Sequence, residues 1–188
     1  MKNLFALLAF IILQTLLGCS GCKNSQSPAA DNPYGLPNAT QTGANVFACR
    51  VNGQNFIVTQ SLGLGTYMNK DTLRVWGEPD TNGYFHVISF QINKGLKEGQ
   101  TYAIDSLNTI AFYDTDSTCL GLSSNVPRIF AIRGSIVLTK LSGTNEVLNG
   151  TYKPNTIVSG TFNLTFVIPN CDTLKITDGR FDINYSQL

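Results

Sequence analysis

Apolar and polar positions after residue 45 alternate with the two-residue period of β-strands. The clearest case is residues 157–168, where apolar residues or glycine occupy every second position and mostly polar residues occupy the others. The apolar face consists of Val158, Gly160, Phe162, Leu164, Phe166 and Ile168. No window shows the 3.6-residue period of an amphipathic helix. The pattern therefore predicts half-buried antiparallel strands.

A second long strand is predicted over residues 129–141. Its predicted inward face consists of Phe130, Ile132, Gly134, Ile136 and Leu138. Gly134 and Gly160 interrupt the two long strands near their middles, where glycine suits a bulge or a bend of a curling sheet.

Turn signals delimit several shorter strands. Asn52-Gly53 is a strong hairpin signal between two apolar runs. Further candidates cover residues 72–76, 84–92, 101–104, 109–113, 174–177 and 181–185. About ten strands at short spacing predict a single all-β domain. An antiparallel β-sandwich and a strongly curled, barrel-like sheet both fit this pattern, and the sequence leaves both open.

The first eighteen residues differ in character from the rest of the chain. Lys2 precedes an apolar run over residues 4–17, which has the length of a signal peptide. The following Leu16-Leu17-Gly18-Cys19 resembles the bacterial lipobox, in which a cysteine is acylated and becomes the first residue after cleavage. Cys22 fits poorly, because Cys19 stands where that pattern requires an aliphatic residue. We therefore expect Cys19 to be the lipidation site.

Three segments follow from this assignment. Residues 1–18 are predicted to be a lipoprotein signal peptide, residues 19–45 the lipidated Cys19 with a flexible tether, and residues 46–188 the β-domain. The tether is rich in Ser, Asn, Pro, Gly and Ala and has no apolar periodicity. An acylated cysteine places the chain in the cell envelope, with the membrane as a partner through the anchor.

Charge and composition narrow the possible partners. The chain has 13 basic and 12 acidic side chains among 188 residues, which gives a net charge of +1. This balance does not have the basic surface that nucleic-acid binding requires. We expect no nucleic-acid partner, and the sequence does not identify a protein or glycan partner.

Three stretches together resemble a family of Bacteroidota lipoproteins known only as a domain of unknown function. They are residues 36–53 (LPNATQTGANVFACRVNG), 157–166 (IVSGTFNLTF) and 176–185 (ITDGRFDINY). The resemblance implies a secreted, lipid-anchored β-domain and supplies no activity, cofactor or catalytic residue. Exported surface lipoproteins of that phylum often carry acidic residues after the lipidated cysteine. Their absence after Cys19 favours the periplasmic face of the outer membrane.

Candidate catalytic groups are few. His86 is the single histidine, and a hydrolase would need it to act with a nearby carboxylate. The segment 178–182 (DGRFD) is interpreted as a hairpin, in which Asp178-Gly179 supplies the positive φ of a tight turn or bulge and Arg180 and Asp182 share the outward face of the final strand. Asp114-Thr-Asp116 opens like a calcium loop but lacks the glycine and glutamate that complete one. We therefore predict no catalytic residue, no metal site and no cofactor.

Cysteines and short motifs suggest covalent features. An oxidising compartment favours a disulfide, and the predicted strand order brings Cys119 and Cys171 to the same edge of the sheet. Cys49 shares a face with Phe47 and Val51 and is predicted to be a buried thiol. Four Asp-Ser/Thr motifs match an O-glycosylation signal of exported Bacteroidota proteins. The candidate sites are Thr72, Ser106, Ser117 and Thr173.

These observations favour a non-catalytic protein of the cell envelope with a binding or structural accessory role. The alternative is a carrier that holds a small apolar molecule or a glycan in a cavity of the curled sheet. Aromatic residues that could stack on such a ligand are Trp76, Tyr67, Tyr84, Phe85, Tyr102 and Tyr113.

Overall fold

A computed structural model provides the coordinates. It describes residues 32, 34–59, 61–68, 71–79, 86–93, 95–115, 128–142, 147–148, 151–152, 157–168 and 171–184. The predicted Cys19 and Ser117 sites, Cys119, and the aromatic residues Tyr84 and Phe85 lie outside these ranges. In the described part of the chain, no helix has the length and apolar character needed to cross a membrane.

The described residues are almost entirely extended. The strands are β1 (Val46–Val51), β2 (Gln54–Val58), β3 (Leu64–Met68), β4 (Leu73–Gly77), β5 (His86–Ile92), β6 (Thr101–Ala103), β7 (Thr109–Thr115), β8 (Arg128–Ser142), β9 (Val147–Leu148), β10 (Thr151–Tyr152), β11 (Ile157–Val167) and β12 (Thr173–Asn184). A short 3₁₀ turn, Ser61–Gly63, precedes β3. Asn52 and Gly53 both have positive φ and join β1 to β2 as a two-residue hairpin turn, as predicted.

Ten strands form one antiparallel sheet. Their order is β2-β1-β12-β11-β8-β7-β5-β4-β3, and β6 pairs with β8 beside this path. The long strand β8 connects the two parts of the sheet, because residues 131–142 pair with β11 while residues 128–130 pair with β7. The sheet curls until it is nearly closed. The predicted all-β fold is confirmed, and the barrel-like sheet is the architecture observed.

Aromatic rings fill the interior where the two parts of the sheet face each other. Phe90 on β5 contacts Phe162 on β11 and Phe181 on β12, with ring centroids 5.6 and 5.2 Å apart. Phe47 on β1 packs against Phe162 at 5.0 Å. All four side chains are buried. The predicted apolar face of residues 158–168 is confirmed as part of this core.

The predicted inward face of β8 is only partly correct. Ile136 and Leu138 are fully buried, but Phe130 and Ile132 are 56% and 60% exposed. The pairing of β8 with β11 shifts by one residue at Ile132, so this bulge moves the earlier side chains to the opposite face. Gly134 lies two residues later with φ near +145°, at the bend that its glycine predicted.

The Asp178-Gly179 step lies within β12 and is a bulge, so the predicted hairpin is wrong and the residues on both sides belong to one continuous strand. The bulge is present in the pairing with both neighbouring strands, because β12 has one extra residue there relative to β11 and relative to β1. Asp178 has φ near +54°. Phe181 and Ile183 then point into the core, as predicted, and Asp182 lies on the opposite, outer face. The bulge thus sets which side chains of the last strand face outward.

Candidate functional site

Asp182 is a buried carboxylate on the outer face of β12. Only 2% of the residue is exposed. Its Oδ1 accepts hydrogen bonds from the hydroxyl of Ser159 at 2.6 Å and the backbone amide of Gly43 at 2.9 Å. Its Oδ2 accepts bonds from the Thr40 hydroxyl and from the amides of Thr42 and Ala44. Protein donors therefore surround both carboxylate oxygens.

Opposing effects act on the pKa of Asp182. Burial, the largest single effect, would raise this pKa because the charged form loses its hydration. The hydrogen bonds from Ser159, Thr40, Ala44 and Gly43 together outweigh burial and hold the pKa below its ordinary value. Asp182 is consequently ionised at neutral pH and fixes residues 40–44 on the sheet.

Neighbouring contacts extend this attachment along β12. Arg180 donates from Nη1 to the carbonyl oxygen of Pro37 at 3.1 Å. The amide of Asn184 donates to Oδ1 of Asn45 at 2.9 Å. We name residues 37–45 with Arg180, Asp182 and Asn184 the N-terminal clamp. The compact unit begins at Tyr34, so the last part of the segment predicted as tether packs on the β-domain.

A second polar and aromatic arrangement covers the outer face of β3, β4, β5 and β7. Direct cross-strand pairs run from Gly65 to Trp76, from Trp76 to Ser89, and from Ser89 to Phe112. In the adjacent row, Tyr67 pairs with Arg74. We name this surface the outer platform; it consists of Gly65, Tyr67, Arg74, Trp76, Ser89 and Phe112.

Arg74 lies between two aromatic rings of the outer platform. Its guanidinium carbon is 5.5 Å from the ring centre of Trp76 and 5.2 Å from that of Phe112. Both distances are typical of cation–π contacts. The Arg74 Nε and the Ser89 Oγ are buried and have no hydrogen-bond partner among the described residues. Arg74 is thus held in place by rings while polar groups around it remain unsatisfied.

Arg128 provides a contrast on the same face. It lies 4.5 Å from the ring centre of Phe112 and forms a salt bridge with Asp114 at 3.2 Å. This is the sole ion pair found within the described ranges. The charge of Arg128 is therefore neutralised by a neighbouring carboxylate, whereas that of Arg74 has no such counterpart there.

Glycine at position 65 shapes the platform. A Cβ on Gly65 would lie 1.8 Å from the indole of Trp76, so the ring rests directly on the backbone of β3. Two positions along the same strand, Tyr67 is 44% exposed. Same-face residues in a strand lie about 7 Å apart. The indole of Trp76 therefore lies over β3 two positions from Tyr67, and Arg74 is paired directly with Tyr67.

The single histidine contacts a tyrosine. Nδ1 of His86 and the hydroxyl of Tyr113 are 2.9 Å apart, and their rings stack with centroids 6.0 Å apart. Tyr113 is buried in the core, and His86 is half-buried at the start of β5. The placement of His86 on the face of Ile88 and Phe90 agrees with the predicted alternation.

Cysteine states agree with the sequence as far as they are described. Cys171 is disulfide-bonded, and Cys49 is a fully buried free thiol whose pKa is raised by burial. The pairing of Cys171 with Cys119 stays a prediction. No group of three or more metal-ligating side chains is found in the described ranges, and Asp114 there pairs with Arg128.

The described O-glycosylation candidates lie at strand boundaries. Thr72 precedes β4, and Thr173 opens β12 with an exposed side chain. Ser106 is exposed with φ near +61°, in a turn where Oδ1 of Asp105 accepts from the amides of Leu107, Asn108 and Thr109. These amides hold the pKa of Asp105 well below its ordinary value. Glycosylation at these positions stays a prediction.

Comparisons with protein-family models, curated proteins and solved structures gave no match. The geometry of the chain itself therefore carries the functional argument. Sequence reasoning selected Trp76 and Tyr67 as possible stacking residues but missed Arg74 and Ser89. The alternation of their strands indicated that Arg74 and Ser89 face outward. It did not indicate that Arg74 contacts Phe112, because that contact depends on the pairing of β4, β5 and β7.

Proposed function

We propose that this chain is a lipid-anchored protein of the cell envelope whose β-domain binds a partner without catalysing a reaction. The outer platform is the observation that carries this proposal. It combines an exposed tyrosine, a half-buried tryptophan and an arginine that no carboxylate neutralises in the described ranges. Aromatic residues and arginine are the side chains most enriched at the centres of binding surfaces.

The buried unsatisfied groups strengthen the proposal. A buried polar atom without a partner lowers stability, so native structures hold few of them. Ser89 Oγ and Arg74 Nε stand at neighbouring positions of the same surface. A bound partner that supplies an acceptor to Arg74 Nε and a hydrogen-bonding group to Ser89 Oγ would satisfy both atoms.

The packing of the interior favours an external binding surface over a carrier cavity. A carrier requires an internal volume of several hundred Å³. Here Phe47, Phe90, Phe162 and Phe181 meet ring to ring between the two parts of the sheet. His86 contacts the hydroxyl of Tyr113, which gives the hydrolase hypothesis no support.

The anchoring part of the proposal rests on the lipobox-like residues before Cys19 and on the resemblance described above. It is tested by feeding cells an alkyne-bearing palmitate and detecting label on the protein. The full chain should acquire label and fractionate with the outer membrane, while Cys19→Ser should lose both properties. Equal labelling of both chains would contradict lipidation at Cys19.

The binding part is tested in the envelope of the native host. A photo-crosslinking analogue of phenylalanine, which keeps an aromatic ring, replaces Tyr67 on the outer platform or Lys175 on β12, which is exposed far from that surface in strand order. Irradiation should produce a higher-mass adduct from position 67 and none from position 175. Protease and glycosidase digestion then identifies the adduct as protein or glycan. No adduct from either position would contradict the proposed binding function.

A further inference from the structure

We infer that the outer platform binds a uronic acid within a glycan chain, which is a sugar unit that bears a carboxylate. Arg74 is the group that recognises this carboxylate. This inference rests on the proposed binding function and adds the class of ligand. Two independent features of the platform lead to it: the charge of its arginine and the arrangement of its aromatic rings.

The charge of Arg74 favours an anionic ligand. Within the described residues, the carboxylate of Asp114 neutralises Arg128, and no carboxylate lies within ion-pair distance of Arg74. Rings on both sides, those of Trp76 and Phe112, restrict the guanidinium before any ligand arrives. A restricted side chain loses less conformational freedom on binding than a free one. The planar fork of arginine fits a planar carboxylate with two parallel hydrogen bonds.

The aromatic rings of the platform favour a flat, partly apolar ligand. Tyr67 is exposed, and the indole of Trp76 lies against Gly65 two positions away on the same strand. A pyranose has one face of C–H groups that packs on an aromatic ring and an edge of hydroxyl groups. Its carboxylate at C5 lies in the ring edge, so a sugar stacked on Tyr67 would direct this group sideways toward the paired Arg74.

The position of the platform favours a chain segment over a small free acid. Its accessible part, the exposed Tyr67 with the half-buried Arg74 and Trp76, lies on the outer face of the edge strand β3 and its neighbour β4, and a ligand on an outer face keeps both ends of a glycan free to continue. The platform holds one arginine and the chain has a net charge of +1, so this surface suits one carboxylate better than a densely charged polyphosphate. These features separate a uronate-bearing glycan from nucleic acid.

The experiment measures binding of oligosaccharides to the detergent-solubilised full chain by calorimetry. The probes are tetramers of galacturonate, glucuronate and mannuronate, each compared with its methyl ester, which keeps the sugar and removes the charge. At least one tetramer should bind, and its ester should bind at least tenfold more weakly. The affinity should also fall as salt rises, because screening weakens an exposed charge pair.

Two variants of Arg74 and one control variant locate the site. Arg74→Gln should weaken the bound uronate at least tenfold, since a charged hydrogen-bond pair contributes a factor of this order. Arg74→Lys, which keeps the charge and loses the fork, should fall between wild type and Arg74→Gln. Arg133→Gln removes an equal charge from an exposed position on β8 and should bind like wild type. Circular dichroism and thermal melts confirm that each variant is folded.

The possible results separate this inference from the proposed function. Equal affinity for a uronate and its ester, or no effect of Arg74→Gln, overturns the carboxylate inference while the crosslink at position 67 still supports binding. Tighter binding of a poly-glutamate peptide than of any uronate overturns the saccharide class. Absence of binding to all three uronates overturns the inference, and absence of the crosslink overturns the proposed function.

Discussion

Replacing Asp182 with asparagine tests whether the N-terminal clamp stabilises the domain. The substitution preserves shape but exchanges one carboxylate oxygen for an NH₂ group. If the amide nitrogen takes the Oδ1 position, the Gly43 amide loses its acceptor while the Ser159 hydroxyl can rotate to accept. In the opposite orientation, the amides of Thr42 and Ala44 both lose theirs. The first orientation is therefore the less costly.

The structure sets the size of the effect. Even that orientation leaves one backbone donor unsatisfied in a protected position, which costs about 1–3 kcal/mol, and the remaining bonds lose their charge assistance. We expect Asp182→Asn to lower the free energy of unfolding by roughly 2–4 kcal/mol at neutral pH. Asp182→Ala, which removes every acceptor, should have a larger effect.

The pH dependence follows from the lowered pKa. Because the folded state holds the Asp182 pKa below its unfolded value of about 3.9, the group stabilises the fold above that pH. This contribution is lost as pH falls through the folded pKa. The difference in stability between wild type and Asp182→Asn should therefore be constant from pH 7 to about 5 and should shrink as pH falls further below 4.

Urea unfolding followed by the fluorescence of the single tryptophan and by circular dichroism measures both effects. Asp178→Asn is the matched control, because Asp178 is exposed on the same strand and asparagine tolerates its positive φ. The control should change stability by no more than about 0.5 kcal/mol. Equal stability of wild type and Asp182→Asn at pH 7 would refute the clamp, as would a difference that grows in acid.

Three further predictions concern the backbone and the cysteines. Gly134→Ala should destabilise the fold by about 1–3 kcal/mol in urea titrations. The reason is that φ is near +145° and that a backbone oxygen would lie 2.2 Å from the new Cβ. Unchanged stability would contradict the bend. Cys49 should react with a thiol reagent only after denaturation, and rapid labelling of native protein would contradict its burial. Peptide mapping without reduction should join Cys171 to Cys119, and any other partner would refute the predicted pairing.

Strand periodicity was sufficient to predict the fold class and most of the core. Val158, Phe162 and Phe166 alternate without interruption, and the structure buries all three. The same method failed for Phe130 and Ile132, because alternation assumes an unbroken register. One extra residue in β8 reversed the face of its first part. A glycine nearby signalled a bend but not the position of the extra residue.

The sites were harder to predict because they form between segments distant in sequence. Asp182 was correctly assigned to an outer face, yet its burial comes from residues 40–44, about 140 positions earlier. Arg74 was not selected, because an arginine in an alternating strand ordinarily indicates only a solvated face. The cross-strand approach of Phe112, and the lack of a carboxylate beside Arg74 among the described residues, become visible only when β4, β5 and β7 are paired.

The positions that carry the family resemblance and those that form the outer platform lie in different parts of the sheet. Residues 36–53, 157–166 and 176–185 supply the clamp, β1, β11 and most of β12, which are consecutive neighbours in the sheet. Their shared features are explained by folding: a hairpin turn, a bulge and a buried carboxylate. The platform instead uses β3, β4, β5 and β7. These stretches therefore contribute to folding and not to the platform, so the resemblance bears on the fold and carries no information about the proposed binding surface.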